Sequence, residues 1–518
     1  MSTPSRITYS IRNITTGFLG QAIQTILGFV SRTIFIKCLA TEYLGVSGLF
    51  TNILSILSLA ELGVGSAIAY ALYKPLADRD EYKVSALMNF YSKAYRIIGI
   101  SVAIVGLSIL PFIKYIINDA PNIEENIYLI YFLYLFNTVI TYFFSYKNTI
   151  IVGDQKQYIS LTINYIIYCL QTIVQIIILL STKNFLLYLI IQSIFVVIYN
   201  VSISIKADKM YPYLKKNKGA KLDNGTKKEL GVNIKSLMII KLSGVLVNNT
   251  DNIIISKFLG LSIVGLCSNY NLLISIINSI LAQIFGSSIT ASVGNVNAKE
   301  SNEKKEEIFN VINFMNFWAF GFSAICITLL SNDVIKLWIG EKFVLPISIP
   351  LILAINFYMV GMQNAVWTYK GTMGLFKQGR FLLLVTGSIN IVLSIVLGKY
   401  IGLFGILVAT AISRALTNTW YDPFVIYKYG LKKSPVSYFI RYIKFVIIIG
   451  VILVINGFLC SLVKGNILTV VIMKTIICTL VSNIIIIAIF YKTNEFKYIL
   501  NIVKRIIGNF KSKFVTNK

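Results

Sequence analysis

The chain has 518 residues, of which 56% are hydrophobic and only 13% charged, with a mean hydropathy of +0.74. Soluble domains carry about 25% charged residues, so these values exclude an ordinary globular protein and point to a polytopic membrane protein. The 48 Lys+Arg against 21 Asp+Glu leave a net charge of +27, and the absence of histidine excludes His-ligated metals, His general bases and Ser-His-Asp triads.

A membrane-spanning helix needs about 20 mainly apolar residues. Fourteen segments qualify, six of them before a long polar stretch: 14–36, 44–72, 89–113, 124–147, 158–181 and 183–206. A basic linker, 207–233, interrupts the pattern, and eight more segments follow: 234–257, 264–290, 306–330, 343–369, 379–398, 402–427, 437–461 and 467–491. The tail, 492–518, is basic and periodic in Phe496, Ile499, Leu500, Val503, Ile506, Ile507 and Phe510, which suits an amphipathic helix on a membrane surface. The expected architecture is all-α: an N-lobe over 1–206, the linker 207–233, a C-lobe over 234–429, and helices 13 and 14 with the tail over 430–518.

With the N-terminus placed in the cytoplasm, about 36 of the 48 Lys+Arg fall on the inner side, as positive-inside topology requires. The inner loops hold Lys74, Arg79, Lys83, Lys93, Arg96, Lys147 and Lys156, then the linker cluster, then Lys299, Lys304, Lys305, Lys370, Lys377 and Arg380. Both termini are then cytoplasmic, and the net charge reads as topology and attraction to anionic lipid, with no nucleic acid required. The N-terminus shows no cleavable signal pattern. The six cysteines lie in apolar surroundings without CxxC spacing, so they read as small core residues.

The two halves align at an offset of 220: Ile34/Ile254, Lys37/Lys257, Leu39/Leu259, Ala40/Gly260, Leu44/Val264 and Gly45/Gly265. Each stretch is the turn between the first and second helix of its half. Six spans per half is an even number, so both halves enter the membrane in one direction. This predicts a parallel repeat about an axis along the membrane normal, with a cavity between lobes.

Polar residues inside spans are costly and mark function or helix–helix contacts. Glu61 shares a face with Ser47, Thr51, Ser58 and Gly65; Arg32 lies on a stripe with Gly17, Gln21, Gln24 and Gly28. Lys241, Asn248 and Asn252 align beside Asp251, and Arg414 aligns with Thr410, Thr417 and Tyr421. Asn164, Tyr168, Gln171 and Gln175 follow helical spacing, as do Tyr131, Tyr134, Thr138, Tyr142 and Ser145. Candidate substrate-binding residues are therefore Arg32, Lys241, Arg414, Glu61, Asp251, Asn248, Asn164, Gln171 and Tyr142. Cations would hold an anionic head group, amides would bond hydroxyls, and tyrosine faces would pack on sugar rings. There is no GxxxxGK[ST] phosphate loop, no filter-like segment and no large outer loop. This leaves a non-ATP transporter with no enzymatic activity and no cofactor.

The stretch TEYLGVSGLFTNILSILSLAELGVGSAIAYALYKPLADRD, residues 41–80, resembles the opening of bacterial polysaccharide flippases of the Wzx type. These belong to the multidrug/oligosaccharidyl-lipid/polysaccharide exporter superfamily, with the MATE exporters and MurJ. The YLG turn, the acidic-Leu-Gly signature at Glu61, Leu62 and Gly63, the following basic loop and the fourteen-span layout carry the likeness. The resemblance implies flipping of an undecaprenyl-diphosphate-linked oligosaccharide across the bacterial cytoplasmic membrane by alternating access. Arg32, Lys241 and Arg414 would be its cationic positions, and membrane lipids and a polysaccharide polymerase its other partners. A cation-coupled drug or small-molecule antiporter, using Glu61 and Asp251, is the other reading.

Overall fold

The computed structural model describes residues 6–61, 64–113, 123, 125–228, 230–231, 234, 238, 250–285, 289–290, 293–294, 296–297, 300–375, 378–379, 381–501 and 504. The described residues are helical with short connections and no strand. In chain order the helices are α1 (Arg6–Cys38), α2 (Thr41–Leu57), α3 (Val64–Ala77), α4 (Glu81–Ile109), α5 (Ile127–Gly153), α6 (Gln157–Thr182) and α7 (Phe185–Met210). Then come α8 (Asp251–Leu259), α9 (Leu261–Phe285), α10 (Asn302–Ile339), α11 (Ser348–Thr372), α12 (Leu382–Leu416), α13 (Asn418–Val425), α14 (Val436–Ser461) and α15 (Ile467–Phe490). The starts follow local chemistry. Asp80, Asn126, Asn184, Ser301 and Asn466 each accept a bond from a backbone N–H of the first turn they precede, which satisfies a donor that has no partner within the helix.

Among the described residues, eleven helical stretches are long and apolar enough to cross a membrane. They coincide with the predicted segments except at three places. The predicted second span, 44–72, is broken: α2 ends at Leu57, a 3₁₀ turn covers Ser58–Glu61, and the chain resumes as α3. The stretch Leu382–Leu431 contains both the eleventh and twelfth predicted spans. Gly402, at φ 66°, parts them, because a side chain there would meet left-handed strain. The predicted seventh span, 234–257, lies mostly outside the described residues, as does the tail beyond 504. The described start of that tail is helical, and there Phe496 stacks on Trp318 at 5.9 Å while Leu500 stays exposed.

The chain forms two compact units, Met1–Ser268 and Asn269–Lys518. In the first, α1 packs along α6, and α5 packs against α4 and α7. Small residues allow this approach: a Cβ on Gly20 would stand 1.9 Å from the Tyr165 ring. The core of this unit includes Leu49, Phe50, Leu87, Tyr131, Ile150 and Leu189. In the second unit α10 is central, packed by α11, α14 and α15 around Phe314, Phe317, Phe445 and Phe490. At 38 residues α10 is about 57 Å long, more than a bilayer core needs.

Helices α14 and α15 expose Ile443, Ile447, Val451, Val454, Phe458, Ile472, Leu480 and Ile484 along their lengths. In water such a face would be an aggregation liability; in hydrocarbon it is the solvated side. Their mutual contact includes a polar link: Asn456 Nδ2 donates to Ser482 Oγ at 3.1 Å, beside Cys460 and Cys478, whose sulfurs are 3.9 Å apart.

The segments matched at an offset of 220 touch each other inside the first unit. A Cβ on Gly45 would meet the Leu261 carbonyl oxygen at 2.0 Å, and one on Gly265 would meet the Thr41 oxygen at 2.5 Å. Thr41 corresponds to Leu261 and Gly45 to Gly265, so the contact is reciprocal.

Candidate functional site

The break after α2 positions the one carboxylate of the site among the described residues. Had the helix continued, Glu61 would lie on the stripe of Thr51 and Ser58. The 3₁₀ turn still brings these three to one cavity, and Tyr95 on α4 donates its hydroxyl to Glu61 Oε1. Gly65 at the start of α3 makes room, because a Cβ there would stand 2.6 Å from the Tyr95 oxygen and 2.9 Å from that of Tyr91.

The cavity encloses about 590 Å³ and is lined by α2, the 3₁₀ turn, α4, α5 and α7. Fifteen of its sixteen lining residues are polar or aromatic-polar; Leu54 is the exception. Tyr91, Tyr95 and Tyr142 stand edge to face, with centroids 4.4 Å and 5.8 Å apart along the series. This arrangement fixes the rings against one another, with the Tyr95 hydroxyl held by Glu61 and that of Tyr91 bonded to Thr149 at 3.2 Å. Tyr134, Asn137, Thr138, Thr141, Ser145, Asn148, Thr149 and Gln192 supply the rest of the polar wall. The Asn137 amide and the Ser145 hydroxyl are buried and have no hydrogen-bond partner among the described residues. Buried amides without partners are costly, so these two groups are set for a guest or for water.

A second pocket of about 250 Å³ lies across α5 and shares Thr141, Ser145 and Asn148 with the first. Asn164, Tyr168 and Gln171 of α6 and Tyr199 and Asn200 of α7 line it. Gln175, one step further along the same stripe, serves packing instead: it accepts from Gln171 and donates to the Tyr188 carbonyl at 3.1 Å.

Of the nine predicted site residues, Glu61, Tyr142, Asn164 and Gln171 meet at these two adjoining pockets. Arg32 also belongs to the first unit but does not line either pocket. It donates to Ser268 Oγ and lies within electrostatic reach of Tyr134 and Tyr188. Asp251 opens α8, where a carboxylate favours the helix N-terminus. Arg414 is half-buried near the end of α12 in the second unit. Lys241 and Asn248 lie outside the described residues. Among the described residues, no group of three or more Cys, Asp or Glu side chains could hold a metal ion.

The sequence reading passed over Tyr91, Tyr95, Asn137 and Gln192. It also missed a buried ion pair in the second unit. Lys370 Nζ lies 2.6 Å from Asp422 Oδ1, and Asp422 Oδ2 accepts from Trp367 at 3.3 Å and Asn418 at 3.4 Å. Asn418 continues this network to Thr386 and Thr417.

No protein-family model matches this chain, and no curated protein matches it. Solved structures do. A lipid II flippase MurJ in an inward closed conformation is similar at TM-score 0.62 and 15% identity, over 94% of this chain and 99% of its own. An inward-facing multidrug resistance MATE family transporter of the MOP superfamily matches at 0.58 and 15% identity, over 79% of this chain and 95% of its own. A MOP superfamily transporter from Pyrococcus furiosus matches at 0.54 and 14% identity, over 83% and 98%. At this identity the likeness shows the fold: this is a multi-pass helical membrane protein with the architecture shared by MATE transporters and MurJ.

Proposed function

We propose that the chain flips an undecaprenyl-diphosphate-linked oligosaccharide from the inner to the outer leaflet of a bacterial cytoplasmic membrane, as a transporter without catalysis. The observation that carries this reading is the cavity beside Glu61. A hydrophobic drug calls for an apolar wall with few polar groups, whereas this wall is hydroxyls, amides and tyrosine edges, the chemistry that pairs with sugar hydroxyls and ring faces. The Wzx-like stretch at 41–80 supports the same substrate, and the fold shared with a lipid II flippase over 94% of the chain is compatible with a lipid-linked cargo. Capsular or surface polysaccharide export is the process such a step would serve.

One observation favours a second reading. Among the described residues Glu61 is the sole charged residue in the cavity lining, as a cation-coupled small-molecule antiporter of the MATE kind would use.

Deletion of the gene separates them. The flippase reading expects a lipid-linked saccharide to accumulate on the inner leaflet, identifiable by mass spectrometry of the lipid extract. An unchanged lipid-linked pool together with raised sensitivity to cationic drugs would select the antiporter.

A further inference from the structure

Net charge and the charge of the described cavity lining have opposite signs in this protein. The chain carries +27 overall, yet among the described residues the lining of the 590 Å³ cavity of the first unit has no Lys or Arg and one carboxylate, Glu61. Glu61 Oε1 is engaged by the neutral hydroxyl of Tyr95, and among the described residues no cationic side chain pairs with this carboxylate. A carboxylate in a partly dehydrated pocket without a cation is electrostatically incomplete. Beside it, the Asn137 amide offers both a donor and an acceptor, and Ser145 a hydroxyl, all buried and without a partner among the described residues. An acidic sugar entering this space would face Glu61 directly, whereas Arg32 stands behind Tyr134 and outside the described lining. A sugar bearing a protonated amine would neutralise Glu61 while its hydroxyls met Asn137, Ser145 and the tyrosines.

We propose that this cavity selects saccharide lacking acidic groups and seats a cationic amino sugar with its ammonium against Glu61. The proposal rests on the flippase reading and names the part of the cargo that the first unit recognises. It assigns no role here to the diphosphate, which the cavity has no cation to hold.

The test uses the full chain in phosphatidylcholine nanodiscs, where the lipid adds no net charge, and three water-soluble probes. These are a glucosamine tetramer with free amines, cellotetraose and tetragalacturonate, with binding followed by thermal shift and calorimetry. The expected order is amine over neutral by about tenfold, equivalent to about 1.4 kcal/mol, with no binding of the acidic tetramer. Glu61→Gln, close in shape, reduces the amine-to-neutral ratio to within about twofold. Nonspecific attraction to a protein of net charge +27 would favour the acidic probe, so the expected order runs against it. Binding of tetragalacturonate as tight as that of the amine, or an unchanged ratio in Glu61→Gln, overturns the selectivity and leaves the flippase reading standing. Should no tetrasaccharide bind while tetraphenylphosphonium binds in a Glu61-dependent manner, the flippase reading falls and the selectivity falls with it.

Discussion

Lys370 and Asp422 show what a single residue's position along the chain conceals. In the sequence Lys370 counts as one more inner-loop cation and Asp422 passes unnoticed near the end of a span. Folding places them 2.6 Å apart, with the Asp422 side chain 3% exposed and that of Lys370 16% exposed. Removing one partner of such a pair leaves an uncompensated buried charge, at a cost of about 3–5 kcal/mol. We therefore expect Lys370→Met or Asp422→Leu alone to lower the detergent melting temperature sharply, and the double variant to recover most of the loss. A double variant as unstable as either single one would show that the pair, with its bonds to Trp367 and Asn418, stabilises the fold outright and does more than neutralise its own charges. The cavity residues tell a related story. Tyr142, Asn164 and Gln171 were legible because each lies on a polar stripe at helical spacing within one segment. Tyr91, Tyr95, Asn137 and Gln192 complete the wall only after α4, α5 and α7 come together, and spacing along one helix does not encode which neighbour its polar face will meet.

At the scale of elements, hydropathy marks a span but does not show where it breaks. The run 44–72 is continuously apolar enough to read as one helix, yet the 3₁₀ turn at Ser58–Glu61 interrupts it and turns a carboxylate toward the cavity. Gly402 likewise carries a backbone conformation that composition cannot reveal until the φ of 66° is seen. Helices α14 and α15 show how elements associate when solvent is hydrocarbon. Burying more leucine gains little between helices already surrounded by apolar chains, so packing and interhelical hydrogen bonds hold the pair. The Asn456–Ser482 bond is expected to be worth about 0.6 kcal/mol, the average for such contacts. A double-mutant cycle of Asn456→Leu and Ser482→Ala, followed by unfolding in bicelles, measures it. A coupling energy of zero would mean that the contact contributes shape alone.

At the scale of the whole molecule the sequence is most informative, because span count depends on length and apolarity, and orientation depends on loop charge. Eleven qualifying stretches emerge among the described residues, with Gly402 dividing one and the 3₁₀ turn breaking a further predicted span. Orientation is the part to measure. In a cysteine-free background, Lys464→Cys should react with a membrane-impermeant maleimide on intact cells, and Lys218→Cys should react only after permeabilisation. The reverse pattern would invert the topology. The offset-220 likeness extends this to origins. Gly45 against Leu261 and Gly265 against Thr41 is the contact a two-fold dimer would make with itself, written within one polypeptide. If the chain arose by fusion of two copies of a six-helix ancestor, that ancestor would have paired through this glycine. In such a descendant each glycine lies against the backbone of the other copy, so a methyl group added at either position would press on one shared contact.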